Sequence, residues 1–289
     1  MINPANTLEV AALLPWPSPT ANKYTRGRCI LFAGGPRYGG AAVLATRACQ
    51  RLGAGYTQVF TVAGNEELIR GAAPSAVAGT WSATVLSHLP DTSDDRPVAY
   101  VVGPGLDADD ADTRQVVFGV LKAAAPVIVD GGAISILAAR QARTLLENRR
   151  SAGVSTVITP HVGEAMRLYR GLGFTDVPED PAALAQILAT ELGAIAVVKG
   201  PLTFIADGES VVCMDRGTAA LAKAGTGDVL AGMTGALLAQ GLAAADAAVL
   251  ATVLHAESGR LAAEALTDIA VTPEDVIEAI PRAIMALHA

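Results

Sequence analysis

Aromatic side chains make up only 4% of the 289 residues, with five phenylalanines, five tyrosines and two tryptophans. A core must therefore be filled with aliphatic groups. Much of the 51% hydrophobic content is alanine, which suits many helices packed closely on a sheet. Cysteine is equally scarce. Cys29, Cys49 and Cys213 are scattered with no CxxC or paired spacing, which excludes a disulfide framework and a thiolate metal cluster. A reduced, cytoplasmic setting is the simpler expectation. Basic residues number 21 against 28 acidic ones, and the net charge of −7 argues against a general nucleic-acid binder. No stretch reaches the roughly 18 uninterrupted apolar residues expected of a membrane span. The N-terminus has no basic segment leading into an apolar one, so neither a membrane nor a secretory segment is expected. GxSxG and GxxxxGK[ST] are both missing, and no Ser/His/Asp arrangement is legible.

What is present is a glycine-rich turn running into an apolar helix-forming segment, Ala224-Gly225-Thr226-Gly227-Asp228-Val229-Leu230. Glycines allow successive N–H groups to point one way, and a helix N-terminus adds partial positive charge. Together they make a seat for phosphate oxygens. Asp228 falls at the helix start beside that seat. A carboxylate repels phosphate, so it fits there as a base for an attacking hydroxyl or as a Mg2+ ligand. The plainer alternative is an acid that complements the helix dipole.

Strands alternate with helical segments along the chain. Arg28–Ala33, Tyr56–Val62, Val98–Val102, Pro126–Val129, Val154–Ile158 and Ala194–Val198 read as strands. Leu202–Ala206 and Ser210–Cys213 flank the hairpin turn Asp207-Gly208. Helices are expected at about 41–52, 228–240, 244–265 and 273–287. Residues 1–24 read as an arm in which Pro15, Pro17 and Pro19 forbid regular helix. The pattern implies an α/β fold with a mainly parallel sheet covered by helices on both faces. Polar and glycine residues cluster just after strand ends: Gly34-Gly35, Gly103-Pro104-Gly105, Asp130, His161 and Lys199. Open α/β sheets bind ligands in that crevice.

Each of these residues has two readings. His161, after Thr159-Pro160, is either a substrate contact or a solvent-facing loop histidine. Lys199 is either a point charge for phosphate or a strand-end lysine reaching for water. Asp130 either approaches a ligand or Mg2+, or caps the next helix. His255 and His288 fall in helical segments as packing or surface residues. The alanine-rich segment 244–265 either packs a dimer or tetramer or covers the sheet.

The order of motifs resembles the ADP/ATP-dependent NAD(P)H-hydrate dehydratases, a ribokinase-like family. The resemblance rests on Arg26-Gly27, Gly34-Gly35-x-x-Tyr38-x-Gly40-Ala41, Leu52-Gly53-Ala54-Gly55, Gly103-Pro104-Gly105-Leu106, Thr159-Pro160-His161-x-Gly163-Glu164, Lys199-Gly200-x-x-Thr203 and Gly225-Thr226-Gly227-Asp228-Val229-Leu230. It runs from about residue 24 to the C-terminus, and implies a ribokinase-like three-layer sandwich as a single domain over 1–289. The N-terminal epimerase domain of some members is not expected within these residues. The implied reaction returns hydrated NADH or NADPH to the reduced dinucleotide by phosphorylating the ring hydroxyl and eliminating phosphate. ADP or ATP would be co-substrate, with Mg2+ bridging phosphate oxygens and no metal ligand assigned to the chain. By the family pattern Ala41, Gly105 and His161 would contact the hydrated dinucleotide. Asp228 would be the base and touch the same substrate. Lys199, Gly200, Thr203, Gly225, Thr226 and Gly227 would hold the adenine nucleotide. A homo-oligomer in the cytoplasm, a dimer or tetramer, is expected, with no nucleic-acid or membrane partner.

Three departures stand out. Thr218-Ala219-Ala220-Leu221-Ala222-Lys223-Ala224-Gly225 stands where the family has Asn-Pro-Gly-Met-Ala-Thr-Gly-Gly. Gly132 replaces the second acid of Asp-Ala-Asp, and Pro36 a serine. Two other functions remain open on residues alone: a small-molecule kinase of the hydroxymethylpyrimidine or thiazole type, and a nucleotide-binding homologue without catalysis.

Overall fold

A computed structural model describes residues 1–178 and 180–288. Glu179 and Ala289, inside the expected 1–289 domain, lie outside the described residues. Nine strands form one sheet: β1 (Arg28–Phe32), β2 (Tyr56–Thr61), β3 (Val77–Thr80), β4 (Val98–Val102), β5 (Val127–Val129), β6 (Thr156–Ile158), β7 (Ile195–Val198), β8 (Thr203–Ala206) and β9 (Val211–Met214). Their spatial order is β3-β2-β1-β4-β5-β6-β7-β8-β9. Pairing is parallel from β3 through β7, and the hairpin β8–β9 adds two antiparallel strands at the far edge. The helices are α1 (Thr7–Ala11), α2 (Gly39–Arg51), α3 (Glu66–Ala72), α4 (Ala83–Ser87), α5 (Ala111–Leu121), α6 (Arg140–Ser151), α7 (Val162–Gly171), α8 (Pro181–Leu192), α9 (Thr226–Ala239), α10 (Ala244–Leu266) and α11 (Pro273–His288).

The central strands are apolar on both sides because both sides are covered. Alternate residues of β1 and β4 serve two cores. Cys29, Leu31, Ala99 and Val101 face the layer of α2, α9, α10 and α11. Ile30, Phe32, Val98, Tyr100 and Val102 face the layer of α5, α6, α7 and α8. The three-layer expectation is met.

Two local expectations change. Helix forms inside the arm at α1, ahead of the prolines, where Asn6 caps it by accepting from Glu9 N at 3.3 Å. The edge strand β3 is an addition: Val77-Ala78-Gly79-Thr80 carries no apolar alternation, and Val77 is exposed. Of the two readings of 244–265, burial favours the second, since α10 is covered along most of its length by α9, α11 and the sheet.

The strand order reverses between the parallel neighbours β1 and β4, the topological switch point of the sheet. Loops from both strands meet there. Gly34 N donates to Pro104 O and Gly35 N to Gly105 O, each at 2.8 Å. Helix α9 lies across β4, β1 and β5, packed against α2, with its N-terminus towards the strand C-terminal edge.

Candidate active site

Gly225 opens α9 with φ +101°, a left-handed conformation that a side chain resists. A Cβ there would also come 2.7 Å from Leu44 Cδ1 and 2.9 Å from Pro273 Cγ. Thr226 is buried, and its hydroxyl donates to Leu221 O at 2.8 Å and Lys223 O at 2.9 Å. That hydroxyl holds the loop together, leaving the backbone to face a ligand. Val229 N is the amide that returns to Gly225 O, while the N–H groups of Gly227 and Asp228 have no acceptor among the described residues. This is the unpaired donor set of a helix N-terminus.

Asp228 lies in the first turn of α9, as expected. Its carboxylate accepts no hydrogen bond among the described residues. Burial pushes its pKa up to about 7, and the negative charge of Asp130 adds to that, against the opposing charge of Lys199 and with a smaller push from Glu164. A carboxyl that titrates near neutrality is matched to taking a proton from a hydroxyl.

Lys199 directly follows β7, pairs with Asp130 and acts on Asp228 through its charge. Its Nζ donates to Asp130 Oδ1 at 3.0 Å, and a Cβ on Gly227 would lie 3.1 Å from that Nζ. Asp130 is buried at the end of β5 and also accepts from Thr159 Oγ1 at 2.7 Å. It makes no side-chain cap to the following turn, so the capping reading of Asp130 fails. A side chain at Gly132 would meet Leu106 O at 1.9 Å, which explains the missing second acid.

His161 is a helix cap, a role that the sequence reading missed because histidine is not a usual N-cap residue. Its Nδ1 accepts from Gly163 N at 3.0 Å and Glu164 N at 3.3 Å, and Glu164 Oε2 accepts from His161 N at 2.9 Å. The proton is thereby assigned to Nε2, on a ring whose side chain is 55% exposed. Backbone pairing of His161 with Lys199 aligns the ends of β6 and β7.

Ala41 and Gly105 meet at the switch point: a Cβ on Gly105 would lie 2.8 Å from Ala41 Cβ. Gly105 has φ +70°, and the same Cβ would reach 2.6 Å from Tyr38 O, so only glycine fits. Thr203 is buried, and its hydroxyl turns back to Gly200 O at 3.5 Å. Lys223 faces away from the phosphate seat. Its Nζ donates to Ile269 O at 2.7 Å and Val271 O at 2.5 Å, and Thr218 Oγ1 donates to Asp268 Oδ1 at 2.8 Å. The altered segment is thus tied to the loop between α10 and α11.

Fold and site together define a ribokinase-like protein with unpaired helix-N-terminal amides and a buried carboxyl at the C-terminal edge of its parallel strands. The chain belongs to the NAD(P)H-hydrate dehydratase family, whose model matches residues 29–282. It is 38% identical over 258 residues to the bifunctional NAD(P)H-hydrate repair enzyme of Mycobacterium leprae, covering 88% of this chain and 50% of that one. The chain therefore spans about half the length of the bifunctional relatives it matches. An ADP-dependent (S)-NAD(P)H-hydrate dehydratase of Xanthomonas campestris is 28% identical, covering 95% of this chain and 94% of the relative. The crystal structure of the ADP/ATP-dependent NAD(P)H-hydrate dehydratase of Bacillus subtilis, co-crystallized with ATP/Mg2+, superposes with a TM-score of 0.82 at 28% identity. It covers 98% of this chain and 97% of that one.

Proposed function

We propose that this protein dehydrates hydrated NADH and NADPH back to the reduced dinucleotides, using ADP or ATP as phosphoryl donor. The observation that carries the reading is Asp228, a carboxyl with pKa about 7 placed beside two unpaired helix-N-terminal amides and the Lys199 ammonium. Asp228 takes the proton of the ring hydroxyl as that oxygen attacks the terminal phosphorus of the nucleotide, and AMP (from ADP) or ADP (from ATP) leaves with the electrons of the broken phosphoanhydride bond. The amides of Gly227 and Asp228 receive the charge that builds on the transferring group. Phosphate then departs from the ring with the electrons of its carbon–oxygen bond, which hydroxide does poorly, and the adjacent ring carbon gives up a proton to form the double bond. Ala41, Gly105 and the exposed Nε2–H edge of His161 contact the dinucleotide. Lys199, Gly200, Thr203, Gly225, Thr226 and Gly227 form the nucleotide side, with Thr203 and Thr226 acting through the backbone that their hydroxyls hold.

Magnesium fits the donor set. Mg2+ takes one or two carboxylates together with phosphate oxygens rather than an all-protein cage. Asp130 Oδ2 is engaged by no hydrogen bond among the described residues and would face such an ion. When bound, the ion would draw charge off the phosphate oxygens. We read residues 1–289 as one domain, supported by two cores sharing a single sheet. Three free thiols support a cytoplasmic setting. Exposed Leu8, Ile269 and Met285 support a homo-oligomer, which sedimentation tests. The decisive assay mixes hydrated NADH, Mg2+ and either ADP or ATP with the protein and follows the reduced nicotinamide absorbance. Nucleotide-dependent recovery is expected; none with either nucleotide rejects the reading.

A further inference from the structure

Behind the glycine loop lies a histidine that the reaction above does not use. His255, in the middle of α10, is buried. One turn further along, a Cβ on Gly259 would meet Leu221 Cδ2 at 2.7 Å, so this face of α10 lies against the turn Ala219–Leu221 that leads into α9. The Thr226 carbonyl lies against the imidazole, and Nε2 is buried with no hydrogen-bond partner among the described residues. Arg26 Nε, Arg28 Nε and Gln186 Oε1 share that condition among the described residues, yet each belongs to a side chain bonded through another atom. For His255 no side-chain hydrogen bond through another atom offsets the unpartnered Nε2 among the described residues. An orphaned buried ring nitrogen costs stability that an aliphatic side chain of similar volume would not. Packing alone is therefore a poor account of it.

The peptide linking Thr226 to Gly227 explains what the ring is placed to do. Its carbonyl and the Gly227 N–H belong to one plane and point in opposite directions. A donor that fixes the carbonyl from behind aims the N–H forward, into the phosphate seat, and polarises it further. Burial holds the ring neutral, with its pKa pushed down to about 4. A neutral N–H makes this bond with no change of charge as nucleotide arrives and leaves.

We propose that His255 is a positioning residue for the nucleotide: when the phosphate seat is filled, Nε2–H closes onto the Thr226 carbonyl and locks the Thr226–Gly227–Asp228 turn. The inference rests on the reading of that turn as the phosphoryl-transfer centre. Its test is binding of ADP and ATP with Mg2+ to the full chain by calorimetry, beside melting and the imidazole 15N spectrum. His255→Leu is expected to melt at or above the wild-type temperature and to bind nucleotide about tenfold more weakly. His255→Gln, a neutral donor of similar reach, restores most of the affinity. In the wild type the Nε2–H signal moves downfield on adding nucleotide. Leucine binding within twofold of wild type, with the signal unmoved, overturns the proposal. Should leucine unfold the chain, glutamine and the shorter asparagine decide it: glutamine alone keeps affinity, and equal affinities overturn it. A wild type that binds nucleotide but restores no hydrated dinucleotide rejects the function while the binding series still decides His255.

Discussion

At the scale of single residues, the environment of Asp228 makes opposite demands on activity and stability. Its pKa rises from 3.8 to about 7 mainly because the site buries it, so the native state holds a proton that the unfolded chain releases. The stability it contributes is full below about pH 4 and is lost as the pH rises through about 7. Asp228→Asn should therefore melt above wild type at pH 8, by about 1–3 kcal/mol, with the gap closing towards pH 4. Its activity should fall by about 10²–10⁴-fold, the usual worth of a general base, with nucleotide binding retained. In the wild type, kcat/KM should climb along an acid limb centred near pH 7. Asp130→Asn removes the negative neighbour, so that limb should move to lower pH, and an unmoved limb would detach Asp130 from the basicity of Asp228. Asp228 was legible from sequence because glycines, carboxylate and apolar helix are adjacent. Its partners were only half legible, since Asp130 and Lys199 lie 69 positions apart and only the folded sheet sets them 3.0 Å from each other.

At the scale of elements, the site depends on where α9 points. Helices α2 and α9 approach so closely that a Cβ on Gly232 would lie 2.1 Å from Ala45 O and 2.8 Å from Ala45 C. These are backbone atoms, which cannot swing aside as a side chain would. Gly232→Ala should cost about 1–3 kcal/mol as overpacking forces the helices apart, with a lower melting temperature and a weakened nucleotide seat. Wild-type melting would show that the pair has slack. The long apolar strands and helices were readable from their periods, whereas β3 was not, because an exposed edge strand needs no apolar face. The capping role of His161 was hidden for a different reason: it depends on the ring turning back to the Gly163 and Glu164 amides, which residue type alone does not signal. Arg149 was likewise invisible. It is buried and donates to Ala123 O, Ala125 O and Ser155 O at 2.7 Å each, organising loops on the edge of the sheet away from the site.

At the scale of the whole molecule, a protein of net charge −7 has, under the proposed function, two anions to bind, a dinucleotide and an adenine nucleotide. The global field repels both, and the local field of Lys199 and the α9 N-terminus attracts them over a few ångströms. Near Asp228 the acids Asp130 and Glu164 offset much of that attraction. The long-range term should therefore decide how association responds to salt. Between about 0.01 M and 0.15 M ionic strength the Debye length shrinks from about 30 Å to about 8 Å, which screens repulsion from the distant surface while leaving the contacts within the site. Nucleotide KM should accordingly fall as salt rises over that range, by roughly two- to fivefold. Lys199→Met, which deletes the local attraction, should raise KM at every salt concentration and steepen the dependence. A KM that instead rises with salt would mean that the lysine and the helix terminus govern the encounter, and that the acidic surface is electrically remote from the mouth of the site.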